Sequence, residues 1–276
     1  MSTSTLEIET LANLYRQPLC GSLVFDIETG PLDWPTIEKL VPSFIAPPHP
    51  GDFDPSSVKV GNLTEANATK KIEGKRAEHM AEVAAYEVTT AAARVNWEQK
   101  IVEGAALDAS IGQVLAIGYR DARGNVGIDR CDQGPHNERR LIETFWRTYV
   151  AVVTAGNVMI GHYIGGFDVP FLIRRSYILG IDVPGLARDG KWLSRSFVDT
   201  RELWLCGERN SPGGGSSLDA VARAMGVGSK DGQECNGATF WKFWQSGNDE
   251  LRRQALEYLA NDLGINAGVA ERMGIL

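Results

Sequence analysis

The chain is short of cysteine, of long apolar runs and of positive charge, and each shortage removes a class of protein. Four cysteines occur in 276 residues (Cys20, Cys131, Cys206 and Cys235), far apart and without a C-x-x-C pair. Such spacing builds neither a disulfide framework nor a zinc site, and reduced thiols in a cytosolic setting are the expectation. No apolar run approaches the length that spans a bilayer. The opening MSTSTLEIET is polar and acidic, unlike the basic and apolar segments of a signal peptide. A cytoplasmic protein without a membrane partner is therefore expected. Lysine and arginine total 28 against 35 aspartates and glutamates, a formal charge of −7. This balance excludes a broad nonspecific grip on nucleic acid but leaves room for an enzyme that holds a single strand end. Internal repeats are lacking, and the run Gly213-Gly214-Gly215 is not followed by the G-K-S/T of a phosphate loop.

What is present suits an α/β protein: the length can bury a sizeable core, and 43% hydrophobic with 23% charged residues is ordinary for a globular chain. Residues 22–25 are strand formers, and strands resume at 112–120, with a turn over 121–125 and a partner strand after it. Between them lies a Pro-rich tract, then an Ala-, Glu- and Lys-rich segment with Thr64 as N-cap and Gly104 as stop. Gly74 and the pair Thr89-Thr90 interrupt its pattern, so one long helix or two shorter ones are both open. Its sparse apolar stripe is Ile72, Met80, Val83, Trp97 and Ile101. Residues 42–109 are read as an insertion within a single domain spanning 1–276. Beyond it, helices are expected over 137–150, 169–179 and 249–266, with one capped by Ser216 or Ser217 and short strands at 157–162 and 196–200. The expected architecture is a mixed sheet with helices on its faces.

Three places carry acids of interest. SLVFDIETGPL (22–32) puts Asp26 and Glu28 two apart at a strand end, on one face, where they repel. Alone, the pair is equally a solvated strand end. GHYIGGFDVPFL (161–172) ends a buried strand and opens a helix at Asp168, which by itself reads as an N-cap before an early proline. In EYLANDLG, Tyr258 and Asp262 are four apart and share one helix face.

Taken in order, these segments resemble the DEDD-type 3′→5′ exonucleases of the ribonuclease H-like fold, in the subtype with Tyr in the third motif. The chain is most similar to the exonuclease domains of family B DNA polymerases and their stand-alone relatives. FVDTRELW and SSLDAVARAMGV resemble the family's intervening segments. The alternative subtype carries His where this chain has Glu257. Two positions depart from the pattern: Tyr163 stands where the family has Asn, and Asn266 where it has a hydroxyl residue.

The resemblance implies a ribonuclease H-like mixed sheet with a helical insertion after the first strand. It also implies two divalent cations, Mg²⁺ or Mn²⁺, held by Asp26, Glu28, Asp168 and Asp262. Two such ions roughly 3.5–4 Å apart activate water and stabilise the leaving oxygen of a phosphodiester, and hard ions want oxygen ligands. Asp26 would bridge the ions, Glu28 and Asp262 would hold the one carrying the nucleophile, and Asp168 would hold the other through water. Tyr258 would orient the attacking water. Thr29, Leu32, Tyr163 and Phe167 are the implied substrate contacts, Leu32 as a wedge and the two aromatics as stacking rings. The expected partner is DNA with a single-stranded 3′ end, served by a separate polymerase, replication or repair protein. RNA on the same site and a noncatalytic nucleic-acid-binding module are the rivals. Beyond the motifs, FWKFW (240–244) is either a stacking platform or a buried anchor, His162 a satisfied strand-end histidine, and Lys230 a loop residue open to a phosphate contact though nothing singles it out.

Overall fold

The computed structural model describes residues 21–131, 135–208 and 215–276. Cys20 and Gly213-Gly214 lie outside the described residues; Cys131, Cys206 and Cys235 are free thiols. In chain order the elements are β1 (Leu23–Pro31), α1 (Trp34–Leu40), α2 (Glu65–Ala105), β2 (Gly112–Asp121), β3 (Val126–Arg130), α3 (Pro135–Thr154), β4 (Met159–Gly161) and α4 (Asp168–Leu179). There follow β5 (Arg188–Asp189), β6 (Trp192–Leu193), β7 (Phe197–Asp199), α5 (Thr200–Leu205), α6 (Leu218–Met225), α7 (Phe240–Gln245) and α8 (Asp249–Arg272). The chain divides into two compact units, one of residues 1–33 with 105–276 and one of residues 34–104. The tract read as an insertion falls mostly in the second.

The first unit is the α/β layer structure expected, built on a five-stranded sheet of order β3-β2-β1-β4-β7. β1 runs antiparallel to β2 and parallel to β4, and β4 parallel to β7, the mixed arrangement of a ribonuclease H-like sheet. The period-2 alternation of β1 sorts its side chains onto two cores. Leu23, Phe25 and Ile27 enter the larger one with Phe145, Trp146 and Tyr149 of α3 and Phe171 of α4. Val24 enters the other with Phe240 and Trp244 of α7 and Leu256, Leu259 and Leu263 of α8. Asp26 and Glu28 share the Val24 parity and so belong to the face that α8 covers. FWKFW is accordingly an anchor, with Phe240 and Trp244 buried. α8 lies so close to β2 that a Cβ on Gly118 would stand 2.6 Å from Leu263 Cδ1, so any larger residue there forces that side chain to shift.

In the second unit, α2 is one uninterrupted helix of 41 residues despite Gly74 and Thr89-Thr90. The Pro-rich tract runs back along it. Phe44 meets Trp97 with ring centroids 5.7 Å apart, His49 meets Tyr86 at 4.6 Å, and Phe53 meets His79 at 5.6 Å. Tyr86 Oη donates to the Pro47 carbonyl at 2.9 Å, and Lys71 Nζ to that of Lys59 at 2.7 Å. Contacts that descend the helix as the tract advances mark an antiparallel brace. They supply side-chain packing that a polar helix lacks by itself. Among the described residues no helix is long and apolar enough to cross a membrane.

Candidate active site

Backbone geometry explains how three distant segments reach one place. β4 is three residues long and pairs with β1 only through Leu23 and Val24. Past that point the Ile27 N–H of β1 has no strand beside it, and the carboxylate of Asp168 accepts its hydrogen bond at 3.1 Å. The N-cap reading of Asp168 therefore fails. Phe167 holds the cap position without a side-chain bond, and Asp168 is the first residue of α4 with its carboxylate turned to the sheet. α8 starts from Asn248, whose side chain caps the N–H groups of Glu250 and Leu251. One face of α8 then presents Tyr258 and Asp262 to β1, with Leu259 and Leu263 in the core beside them. Glu28, Asp168, Tyr258 and Asp262 are buried and Asp26 is partly exposed.

The electrostatics are those of uncompensated negative charge. Burial, then Asp262, pushes Asp26 up to about 7 from the ordinary carboxylate range. Burial, followed by Asp26 and Asp262, holds Glu28 well above its usual value, and burial with Asp26 does the same to Asp168. Asp262 is raised by burial and pulled back by Lys230. Burial and the neighbouring acids keep the Tyr258 phenol protonated far above its normal range. Oxygens of one carboxyl group in such a cluster stay protonated near neutrality unless cations enter.

Lys230 is the residue that sequence reasoning missed. It sits in the loop between α6 and α7, its backbone N–H donating to Asp219 at 2.7 Å. Its ammonium donates to Asp262 Oδ2 and, at 3.2 Å, to Tyr258 Oη. The available signal was indirect: four acids with no cation in their own segments require one from elsewhere. Asp262 Oδ1, by contrast, is buried without a hydrogen-bond partner.

The other implied residues divide. The Thr29 hydroxyl is spent on the Ala106 carbonyl, so it faces the interior. Leu32 is half-buried and bonded through its N–H to Ile111. Phe167 packs on the larger core against Phe171, ring centroids 5.5 Å apart. Tyr163 is exposed, at φ 64°, with the Arg201 guanidinium 4.5 Å from its ring centre. Asp199 pins that conformation by accepting from the N–H groups of Tyr163 and Gly165 at 2.8 and 2.9 Å. His162 bonds Thr200 and the Ser216 carbonyl, both at 2.9 Å, and Asn266 is buried 3.3 Å from the Thr200 hydroxyl. Glu257 is exposed and paired with Arg253.

The donor chemistry fits a hard divalent cation. The candidate ligands are carboxylate oxygens, Asp262 Oδ1 is an orphaned acceptor, and the nearby Cys235 thiol, pushed up to about 12 by burial, stays protonated. The spacing is another matter. With Lys230 in place, no group of three or more Asp, Glu, His or Cys among the described residues is arranged to hold a metal ion.

No protein-family model matches the chain, and no curated protein matches it. A structural neighbour is the family B DNA polymerase from the hyperthermophilic archaeon Pyrobaculum calidifontis. The two are 22% identical with a TM-score of 0.49, over 62% of this chain and 23% of that one. A likeness of this size carries no weight for function. The chain spans under a quarter of that polymerase.

Proposed function

We propose that the chain is a metal-dependent 3′→5′ exonuclease of the DEDD type with Tyr in the third motif, acting on single-stranded or frayed DNA ends. The observation that carries this reading is the meeting of Asp26, Glu28, Asp168 and Asp262, from β1, α4 and α8, around a single lysine. A cluster of acids so poorly compensated has no structural use: burial and mutual repulsion both disfavour its charged form. Asp26, Glu28 and Asp262 would hold one divalent cation and Asp26 with Asp168 another. When bound, such a pair activates water and stabilises the leaving oxygen.

The chain's own groups do the rest. Lys230 favours the ionised form of Asp262 in the metal-free protein and would have to release it for a cation to be held there. Tyr258, its phenol proton held by burial and the neighbouring acids, is a hydrogen-bond donor suited to orient the attacking water. Glu28, with its raised proton affinity, is the base that takes the water's proton. Two other readings remain to be separated: RNA as substrate, and a binding module in which the Lys230–Asp262 contact is permanent.

A time course decides among them. Oligonucleotides of DNA and RNA, labelled at the 5′ end, are incubated with Mg²⁺, Mn²⁺ or EDTA. The expected result is a DNA ladder shortening from the 3′ end with metal only. RNA degraded in preference reassigns the substrate, and intact oligonucleotides under every condition, from folded protein, overturn the nuclease.

A further inference from the structure

We propose a second nucleic-acid contact on the first unit, at the opposite end of α4 from Asp168: a basic and aromatic patch formed by Arg174, Tyr177, Arg188, Lys191 and Trp192, which carries single-stranded nucleic acid away from the acid cluster. It rests on the nuclease reading for the direction of the strand.

The patch is built, not incidental. Arg174 and Tyr177 are three apart and share a face of α4. The β5–β6 hairpin follows, pairing Arg188 with Leu193 and Asp189 with Trp192. Gly190, at φ 59°, takes the first loop position of the two-residue turn, where glycine is favoured. Alternation along β6 then sends Leu193 onto the larger core and Trp192 outward. Ala187 is fully buried just before the hairpin, and the Leu186 carbonyl accepts from Tyr149 Oη at 2.6 Å. The hairpin is thus anchored at its base while Trp192 stays 69% exposed and Tyr177 55%.

Each cation sits against a ring. Lys191 Nζ is 5.0 Å from the Trp192 centroid; the Arg188 guanidinium is 5.8 Å from that of Tyr177 and donates to its hydroxyl at 2.6 Å. Among the described residues no ion pair engages Arg174, Arg188 or Lys191. Asp182 and Asp189 are the exposed acids of the segment, and Arg195 follows the hairpin as a further cation. In a chain of formal charge −7, cations outside any ion pair and beside exposed aromatics match a polyanion with flat bases. Tyr177 lies nine residues along α4 from Asp168, about 14 Å along the axis at 1.5 Å per residue and half a turn around it, so a strand leaving the acid cluster reaches the patch by crossing the surface of α4. The axial distance is the span of about four stacked nucleotides.

The test is fluorescence anisotropy in EDTA, so that no substrate is cut, with labelled oligo-dT of 3 and 12 nucleotides. Trp192→Ala, and separately Arg188→Ser with Lys191→Ser, should weaken the 12-mer roughly tenfold and flatten its salt dependence in the double variant. Trimer affinity should not change. Unchanged 12-mer binding in both variants, an equal loss on both lengths, or no 12-mer binding by the parent protein overturns the patch. Metal-dependent cleavage, measured in parallel, fails or survives independently: cleavage with unchanged 12-mer affinity removes only the patch, whereas lost 12-mer affinity without any cleavage removes only the nuclease.

Discussion

Two buried ionic clusters lie in the first unit, and they are opposites. Glu138 of α3 and Arg175 of α4 form a bidentate pair at 2.8 and 2.6 Å, both side chains almost wholly buried. Backbone groups extend the pair: Glu138 also accepts from the Val114 N–H at 2.9 Å, and Arg175 donates to the Ala109 carbonyl at 3.0 Å. One charge meets one charge, and the pair joins two helices to β2. Around Asp26 four carboxyl groups face one lysine, and one Asp262 oxygen has no partner. The first cluster is finished by the chain. The second is left for something the chain must recruit.

The contrast can be broken first at activity. Asp26→Asn or Asp262→Asn should abolish hydrolysis in the oligonucleotide assay, and Asp26→Asn should melt no lower than the parent in EDTA, since it removes a repelled charge. Turnover retained in either variant refutes the assignment. Stability should answer oppositely: Glu138→Ala strands a buried guanidinium and should cost about 3–5 kcal/mol by denaturant titration. A loss under 1 kcal/mol would make the two clusters alike.

Lys230→Met sharpens the comparison at smaller scale. Without the Lys230 ammonium the acid cluster should lower the melting temperature in EDTA, by about 2–4 °C per kcal/mol lost. Calorimetric Mn²⁺ affinity should rise about tenfold, equivalent to roughly 1.4 kcal/mol. Weaker Mn²⁺ binding would instead make Lys230 a helper of the metal rather than its competitor. The gentlest effect is on pH. Because Asp26 holds its proton up to about 7 when folded, against an ordinary 3.8, its stabilisation is present below about 4 and lost as pH rises towards 7. Melting temperature in EDTA should fall across that window, less steeply in Asp26→Asn. A flat profile would show that neither burial nor the neighbouring acids raise the proton affinity of Asp26.

Much of this was legible in the order of residues, because short-range rules governed it. Asp26 and Glu28 follow from alternation along β1, Tyr258 and Asp262 from helical spacing, and the sheet's layers from the succession of strands and helices. What escaped depended on distant partners. Asp168 reads as a cap because its acceptor role is defined by a strand 141 positions away. The contact stripe of α2 runs through His79 and Tyr86 rather than Met80, which is exposed, because the tract folded against it offers carbonyls and rings. Lys230 carries no local mark at all. Thr29 and Phe167 were sorted by burial, which motif position does not encode.

The loop before α4 has a bearing on which sequences this fold tolerates. Tyr163 occupies a left-handed backbone conformation that disfavours a bulky residue by about 1–3 kcal/mol. A Cβ at Gly166 would stand 2.2 Å from the Tyr163 ring, and the Asp199 carboxylate that fixes the loop also caps α5 through Arg201 and Glu202. Three positions are therefore locked into one another: the ring demands the glycine, and the turn demands the carboxylate. Substitution at one is tolerated only with change at the others, so this loop is expected to vary as a block or not at all.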